Sequence, residues 1–167
     1  MDFQNLWNKH PTIVGDSVPC STDGKANFSD QCAIRLGVAL ASIGVDTTSL
    51  VPKARHCWYH DSGLGHVLAA EELAQGLSRM PISGVSRLQK IDPKQFARKL
   101  SGKKGIIFFK DFWSRDGENF RNRSGDHIDL WNGSRLTDWK TWFMISGLFN
   151  AGGNYSKSKE IWFWEVK

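Results

Sequence analysis

The sequence predicts an α+β fold, with helices first and antiparallel strands closing the chain. Three observations carry this. The stretches 27–44 and 65–80 place apolar residues at helical spacing. GIIFFKDF (105–112) is a continuous apolar run bounded by glycine, and HIDLW (127–131) and EIWFWEV (160–166) read as further strands. No repeat or linker divides the 167 residues, a length that suits one domain, 1–167, around a single core.

Taken in order, FQNLWNK (3–9) reads as a short helix start that Pro11 interrupts, and residues 12–25 read as loop. Asn27, Ser29 and Asp30 are all N-cap types, and Gly44 is a natural terminator for the helix they open. With Ala33, Ile34, Val38, Leu40, Ala41 and Ile43 around it and Arg35 as the one charge in its middle, this helix belongs deep against a sheet. Residues 45–64 are punctuated by Pro52 and Gly63 and read as irregular. In GHVLAAEELAQGLSRM, Val67, Leu68, Ala70, Leu73, Ala74 and Leu77 keep the helical period until Pro81 stops it. A short extended segment follows near 85–91, then Asp92 caps a helix with Pro93 at its first position. The strand at 105–112 leads into a polar loop, 113–125, and the strand 127–131 ends in the turn signal Asn132-Gly133. Residues 138–149 read as helix and 151–159 as loop before the terminal strand.

Lysine and arginine total 22 against 17 acids, a net charge of +5. That suits nucleic acid, an anionic envelope polymer or an acidic protein as partner, without choosing among them. A hydrophobic content of 40% argues against chain-wide disorder, and no apolar run approaches the roughly 20 residues of a membrane span. The N-terminus has no basic region followed by an apolar core, so no Sec-type signal is expected. Three cysteines are too few for a disulfide scaffold; Cys20 and Cys57 are the pair open to bridging, and three reduced thiols is the competing reading.

Chemistry centres on Cys32. With Ser29 as cap it is the third helical residue, where free N–H groups and the helix dipole favour a thiolate. Its partner along the chain is His127, which opens a strand after a glycine-containing loop and can reach over the sheet edge to a helix packed on that sheet. A cysteine–histidine pair needs a further polar group to fix the ring, and Asp126, Asp129 and Asp138 are candidates. Asp129 shares a strand face with His127, whereas Asp138 lies beyond the turn and can face it across a hairpin; sequence geometry leaves the choice open.

FSDQCAIRLGVAL, GHVLAAEELA, GIIFFKDF and GDHIDLWNGSRLTD, in that order, resemble the type VI secretion amidase effectors of family 4, which are papain-like, NlpC-type cysteine peptidases. The resemblance implies a nucleophile-bearing helix packed on an antiparallel sheet. It implies hydrolysis of the bond between D-glutamate and meso-diaminopimelate in peptidoglycan stem peptides, a DL-endopeptidase activity, by a triad of Cys32, His127 and Asp138. Asp138 is thereby preferred to Asp129, which falls into a supporting place. No cofactor is implied. The backbone N–H of Cys32 is expected to hold the oxyanion, with Gln31 as a neighbouring donor. Also implied are synthesis in a donor cytoplasm, injection by the secretion apparatus into a neighbour's periplasm, and a dedicated periplasmic immunity protein that plugs the cleft.

Four other readings compete. A housekeeping cell-wall cysteine peptidase would share the catalytic groups. His56, Cys57, His60 and His66 lie close together, but their spacing matches no common zinc signature, so no metal is expected and they read as a polar cleft wall or plain surface. Arg115, Arg121 and Arg123 near Trp113 and Phe120 suit a nucleic-acid-targeting toxin, yet no nucleic-acid motif accompanies them. The aromatic tail WFWEVK suits a docking element, but alternating aromatics at a terminus fit a core strand better.

Overall fold

The computed structural model describes residues 1–115, 117, 124–138 and 155–167. Its centre is a four-stranded antiparallel sheet of β3 (Gln89–Ile91), β4 (Gly105–Trp113), β5 (Gly125–Trp131) and β6 (Glu160–Glu165), in the order β3-β6-β4-β5. The terminal aromatic segment is therefore an inner strand. Alternation along the strands separates two cores. Ile106, Phe108, Ile128, Leu130 and Trp164 pack with Cys32, Leu36 and Leu40 of α3 (Cys32–Ser42) and with Leu73, Ala74 and Leu77 of α5 (Ala70–Arg79). The alternate residues Ile107, Phe109, Trp131, Ile161 and Phe163 pack on the other face with Phe96, Leu100 and Tyr155. The architecture is α+β, as its sequence predicts.

The helix carrying Cys32 starts later than its apolar pattern suggests. Asp30 Oδ1 accepts the Cys32 N–H at 3.2 Å, and Gln31 holds the N-cap position. The Gln31 amide brackets the backbone of Cys20: Oε1 accepts the Cys20 N–H and Nε2 donates to the Cys20 carbonyl, both at 2.9 Å, with a further bond to the Phe28 carbonyl at 3.2 Å. Residues 28–31 are committed to this clamp, so Cys32 is the first helical residue and not the third. Gly44, at φ +86° just past the end of the helix, supplies the left-handed residue that terminates it.

Helix α5 also begins late, at Ala70, because the residues before it are paired elsewhere. His56 and Val67 form an antiparallel bridge, the Cys57 N–H donates to the His66 carbonyl at 2.8 Å, and the Leu68 N–H donates to the Arg55 carbonyl at 3.1 Å. This loop is pressed onto α3 backbone to backbone: a Cβ on Gly37 would fall 2.0 Å from the Gly65 carbonyl oxygen. Two stretches that read as irregular contain order. Residues 11–26 hold α2 (Pro11–Val14) and a hairpin of β1 (Ser21–Thr22) and β2 (Lys25–Ala26), turned by Asp23-Gly24 with both residues at positive φ. Between 45 and 64, α4 (Thr47–Leu50) is capped by Asp46. The helix expected over 138–149 lies, from 139 on, outside the described residues, as do Phe120, Arg121 and Arg123. Among the described residues no helix is long and apolar enough to cross a membrane.

Candidate active site

Strand β5 is the edge of the described sheet, and its alternation sets the site. Ile128 and Leu130 enter the core beneath α3, which leaves His127 and Asp129 on the opposite face. No described strand lies beyond β5, so the rim of that face opens to the N-terminus of α3. There Cys32, His127, Asp129 and Asp138 line one cavity of about 370 Å³, joined by His10 and Tyr155.

The ring of His127 is held by aromatics. It stacks over Phe109, its register partner, at 6.3 Å between centroids, with Phe112 at 6.2 Å and Tyr155 at 5.8 Å. Burial alone would push this histidine toward its neutral form. Tyr155, the Asp129 carboxylate and the Cys32 side chain oppose that, and the net result is a pKa well above the ordinary 6.5. His127 is thus a strong base that keeps a proton, and Cys32 is near enough to act on it electrostatically.

Asp129 is buried, and every direction around its carboxylate is used. Oδ1 accepts the Leu130 N–H at 2.7 Å and the Thr137 hydroxyl, and Oδ2 accepts the Thr137 N–H at 3.1 Å. His127 Nε2 stands 3.8 Å from Oδ2, an ion-pair distance, and His10 Nε2 stands 3.6 Å from Oδ1. Burial works against ionisation here too, but His127 and the Thr137 hydrogen bond hold the pKa below the usual carboxylate value. By gripping Thr137, Asp129 fixes the chain that returns from the Asn132–Arg135 turn and so places Asp138 at the cavity wall. His10 itself is buried and lowered to about 4, chiefly by desolvation, and stays neutral. Asp126 bonds away from the histidines: it accepts the Asp111 N–H at 2.8 Å, at the bulge that shifts the β4–β5 register. Burial raises its pKa to about 6.

Gln31 does not stand where an oxyanion donor would. Both of its described donor bonds go to the Cys20 and Phe28 carbonyls, so its position is that of a clamp on the helix start. The Cys32 N–H, in turn, is shared with Asp30. The other two cysteines lie together, Sγ to Sγ 3.0 Å apart, both as free thiols. Burial and the Cys57 contact push the Cys20 thiol up to about 11. Of the four residues weighed for metal, His56 turns away to Thr47 and the Pro52 carbonyl, while Cys57, His60 and His66 gather around Cys20.

Sequence reasoning missed His10, Tyr155 and Asp30. His10 precedes Pro11 in what reads as a helix break, and Tyr155 sits in a polar stretch, so neither carries a local signal of a site. Asp30 reads by type only as a cap.

A search among curated proteins finds no match. The family model for Tae4, type VI secretion system (T6SS) amidase effector protein 4, matches residues 28–164, a span that holds Cys32, His127, Asp129 and Asp138. The chain therefore belongs to the type VI secretion system amidase effector 4 family.

Proposed function

We propose that this amidase effector is a papain-like, NlpC-type cysteine peptidase that cuts the γ-D-glutamyl–meso-diaminopimelate bond of peptidoglycan stem peptides. The supporting observation is the convergence of Cys32, at the first residue of a buried helix, and a proton-holding His127 on one cavity that Asp129 and Asp138 also line.

In this mechanism the proton that His127 holds is the one given up by the Cys32 thiol, and the thiolate sulfur attacks the γ-D-glutamyl carbonyl carbon. Positive charge on the ring is balanced by buried Asp129, while Asp138 orients the ring toward the sulfur. The carbonyl π pair moves to oxygen, and the Cys32 N–H at the positive end of the helix is the nearest fixed donor for that oxyanion. In the free protein this N–H faces Asp30, so an oxyanion must compete with the Asp30 carboxylate for it. Collapse breaks the C–N bond, His127 gives its proton to the departing diaminopimelate amine, and a thioester remains on Cys32. Water then attacks as His127 accepts its proton, which releases the D-glutamyl carboxylate and returns the thiol. The net charge of +5 concentrates the enzyme on an anionic wall. Delivery by the secretion apparatus into a target periplasm and neutralisation by a dedicated periplasmic immunity protein complete this reading.

Digestion of purified diaminopimelate-type muropeptides, with products identified by mass spectrometry, tests it. Wild type releases a fragment with a newly free diaminopimelate amino group, and Cys32→Ala does not. Cleavage at another bond, or an equal rate from Cys32→Ala, overturns the proposal.

A further inference from the structure

Four side chains from three parts of the chain meet away from the catalytic cavity. Cys20 lies just before the β1–β2 hairpin, Cys57 and His60 lie in the loop after α4, and His66 precedes α5. One ligand-type atom from each of the four lies within 4.8 Å of the other three. His60 Nδ1 stands 3.6 Å from Cys20 Sγ and 3.4 Å from Cys57 Sγ. The rings of His60 and His66 are 4.6 Å apart between centroids.

His66 is only 4% exposed, and its Nδ1 makes no hydrogen bond among the described residues. A buried ring nitrogen without a partner costs stability unless something else occupies its lone pair or its proton. Each sulfur, by contrast, accepts an N–H: Cys20 from the Asn27 side-chain amide at 3.6 Å, and Cys57 from the Tyr59 backbone at 3.4 Å. Backbone and amide N–H groups aimed at cysteine sulfur are the outer-shell support that a metal-bound thiolate uses.

We propose that Cys20, Cys57, His60 and His66 form a structural zinc site. The donor set is two thiolates and two imidazoles, which suits tetrahedral zinc and supplies two negative charges against the ion's two positive ones. With usual zinc bond lengths, tetrahedral edges are about 3.6 Å between sulfur and nitrogen and about 3.8 Å between sulfurs. The two sulfur–nitrogen separations already match. The sulfurs, 3.0 Å apart, need to open by less than an ångström. Binding releases one proton from each thiol and leaves both imidazoles neutral. A Cys20–Cys57 disulfide would instead require the sulfurs to close to about 2.05 Å, and it would leave the convergence of His60 and the orphaned nitrogen of His66 unexplained.

All four positions are filled by protein, so the site is closed and has no place for substrate. Its role is to hold the helix start. Cys20 is the residue whose backbone Gln31 brackets, and Ile34 of α3 packs against both Cys20 and Cys57. The metal would tie the 56–66 loop to the segment that fixes the first turn of α3.

The test is the metal content of purified, dialysed protein, and it needs no enzymatic readout. One zinc per chain is expected in wild type and in Cys32→Ser, with less than a tenth of that in Cys57→Ser and His66→Ala. Because those variants are open to misfolding, cobalt added to chelator-stripped wild type gives a second reading. Intense visible bands with a near-ultraviolet thiolate-to-cobalt transition are expected from a tetrahedral site of this composition. Folded wild type that holds no zinc and titrates three free thiols overturns the proposal. So does a Cys20–Cys57 bridge found by non-reducing peptide mapping, or a cobalt spectrum without the thiolate transition.

Discussion

Two cysteine–histidine groupings are joined through Gln31, and they are built to opposite ends. Around Cys32 the histidine has a buried carboxylate beside it, and the imidazole keeps its proton although it is desolvated. Around Cys20 and Cys57 the neighbours are a second thiol and a second imidazole. Burial, with His60 and His56 adding to it and Asp16 only partly offsetting it, lowers His66 to about 4. The first grouping opens on a cavity and the second is closed by packing against Ile34. A carboxylate beside the ring suits the proposed acid–base chemistry, and soft donors in its place suit the proposed holding site.

The sharpest way to break this contrast is to exchange the roles of the cysteines. Cys32→Ala should lower muropeptide hydrolysis by at least about 10³-fold while thermal stability stays near wild type. If a folded Cys57→Ser protein were the inactive one and Cys32→Ala the active one, the assignment would be reversed.

The two aspartates should then separate cleanly. Asp138→Asn should reduce kcat by about 10²–10⁴-fold with little change in stability, as expected for a group that orients the ring. Asp129→Asn removes a buried charge that faces His127, His10, Leu130 and Thr137. It should cost about 3–5 kcal/mol in urea denaturation, in addition to activity. Equal stability losses in both variants would show that Asp129 does not hold the Thr137 segment in place.

Stability against pH sharpens the comparison further. His127 has a folded pKa above its unfolded value. Its contribution is complete below about pH 6.5 and is lost as pH rises through the folded value. His10 has a folded value of about 4, so its contribution is present above about pH 6.5 and is lost as pH falls toward 4. Between those limits it makes stability fall by up to ~1.4 kcal/mol per pH unit of acidification. Urea titrations from pH 4 to 8 should show this acid limb, and His10→Gln should make it shallower. The smallest effect is ionic. Hydrolysis of intact, anionic wall should slow a few-fold between about 0.05 and 0.3 M salt, and hydrolysis of small soluble muropeptides should not.

Much of the scaffold is legible in the chain because its signals are local. The run 105–112 reads as the best strand in the chain and lies within β4, and the helical period over 33–43 survives in α3. The helix starts were not legible, for a physical reason. Ser29 is a good cap by type, but side-chain bonds from Asp30 and Gln31 decide where α3 begins. Val67 and Leu68 keep the helical pattern of α5, yet their backbones pair with His56 and Arg55. His127 and Cys32 could be put together from strand and helix geometry. Cys20 and Cys57 could be paired as a possible bridge, but their meeting with His60 and His66 could not be read, because it depends on packing against Ile34 of α3 between segments far apart in the chain.

The most direct test of the contrast is site-resolved alkylation of the native protein by iodoacetamide at neutral pH, read by peptide mapping. Cys32 should react at least about 10²-fold faster than Cys20 and Cys57, and His127→Ala should abolish that advantage. Labelling of Cys20 or Cys57 at a rate equal to or above that of Cys32 would contradict the account.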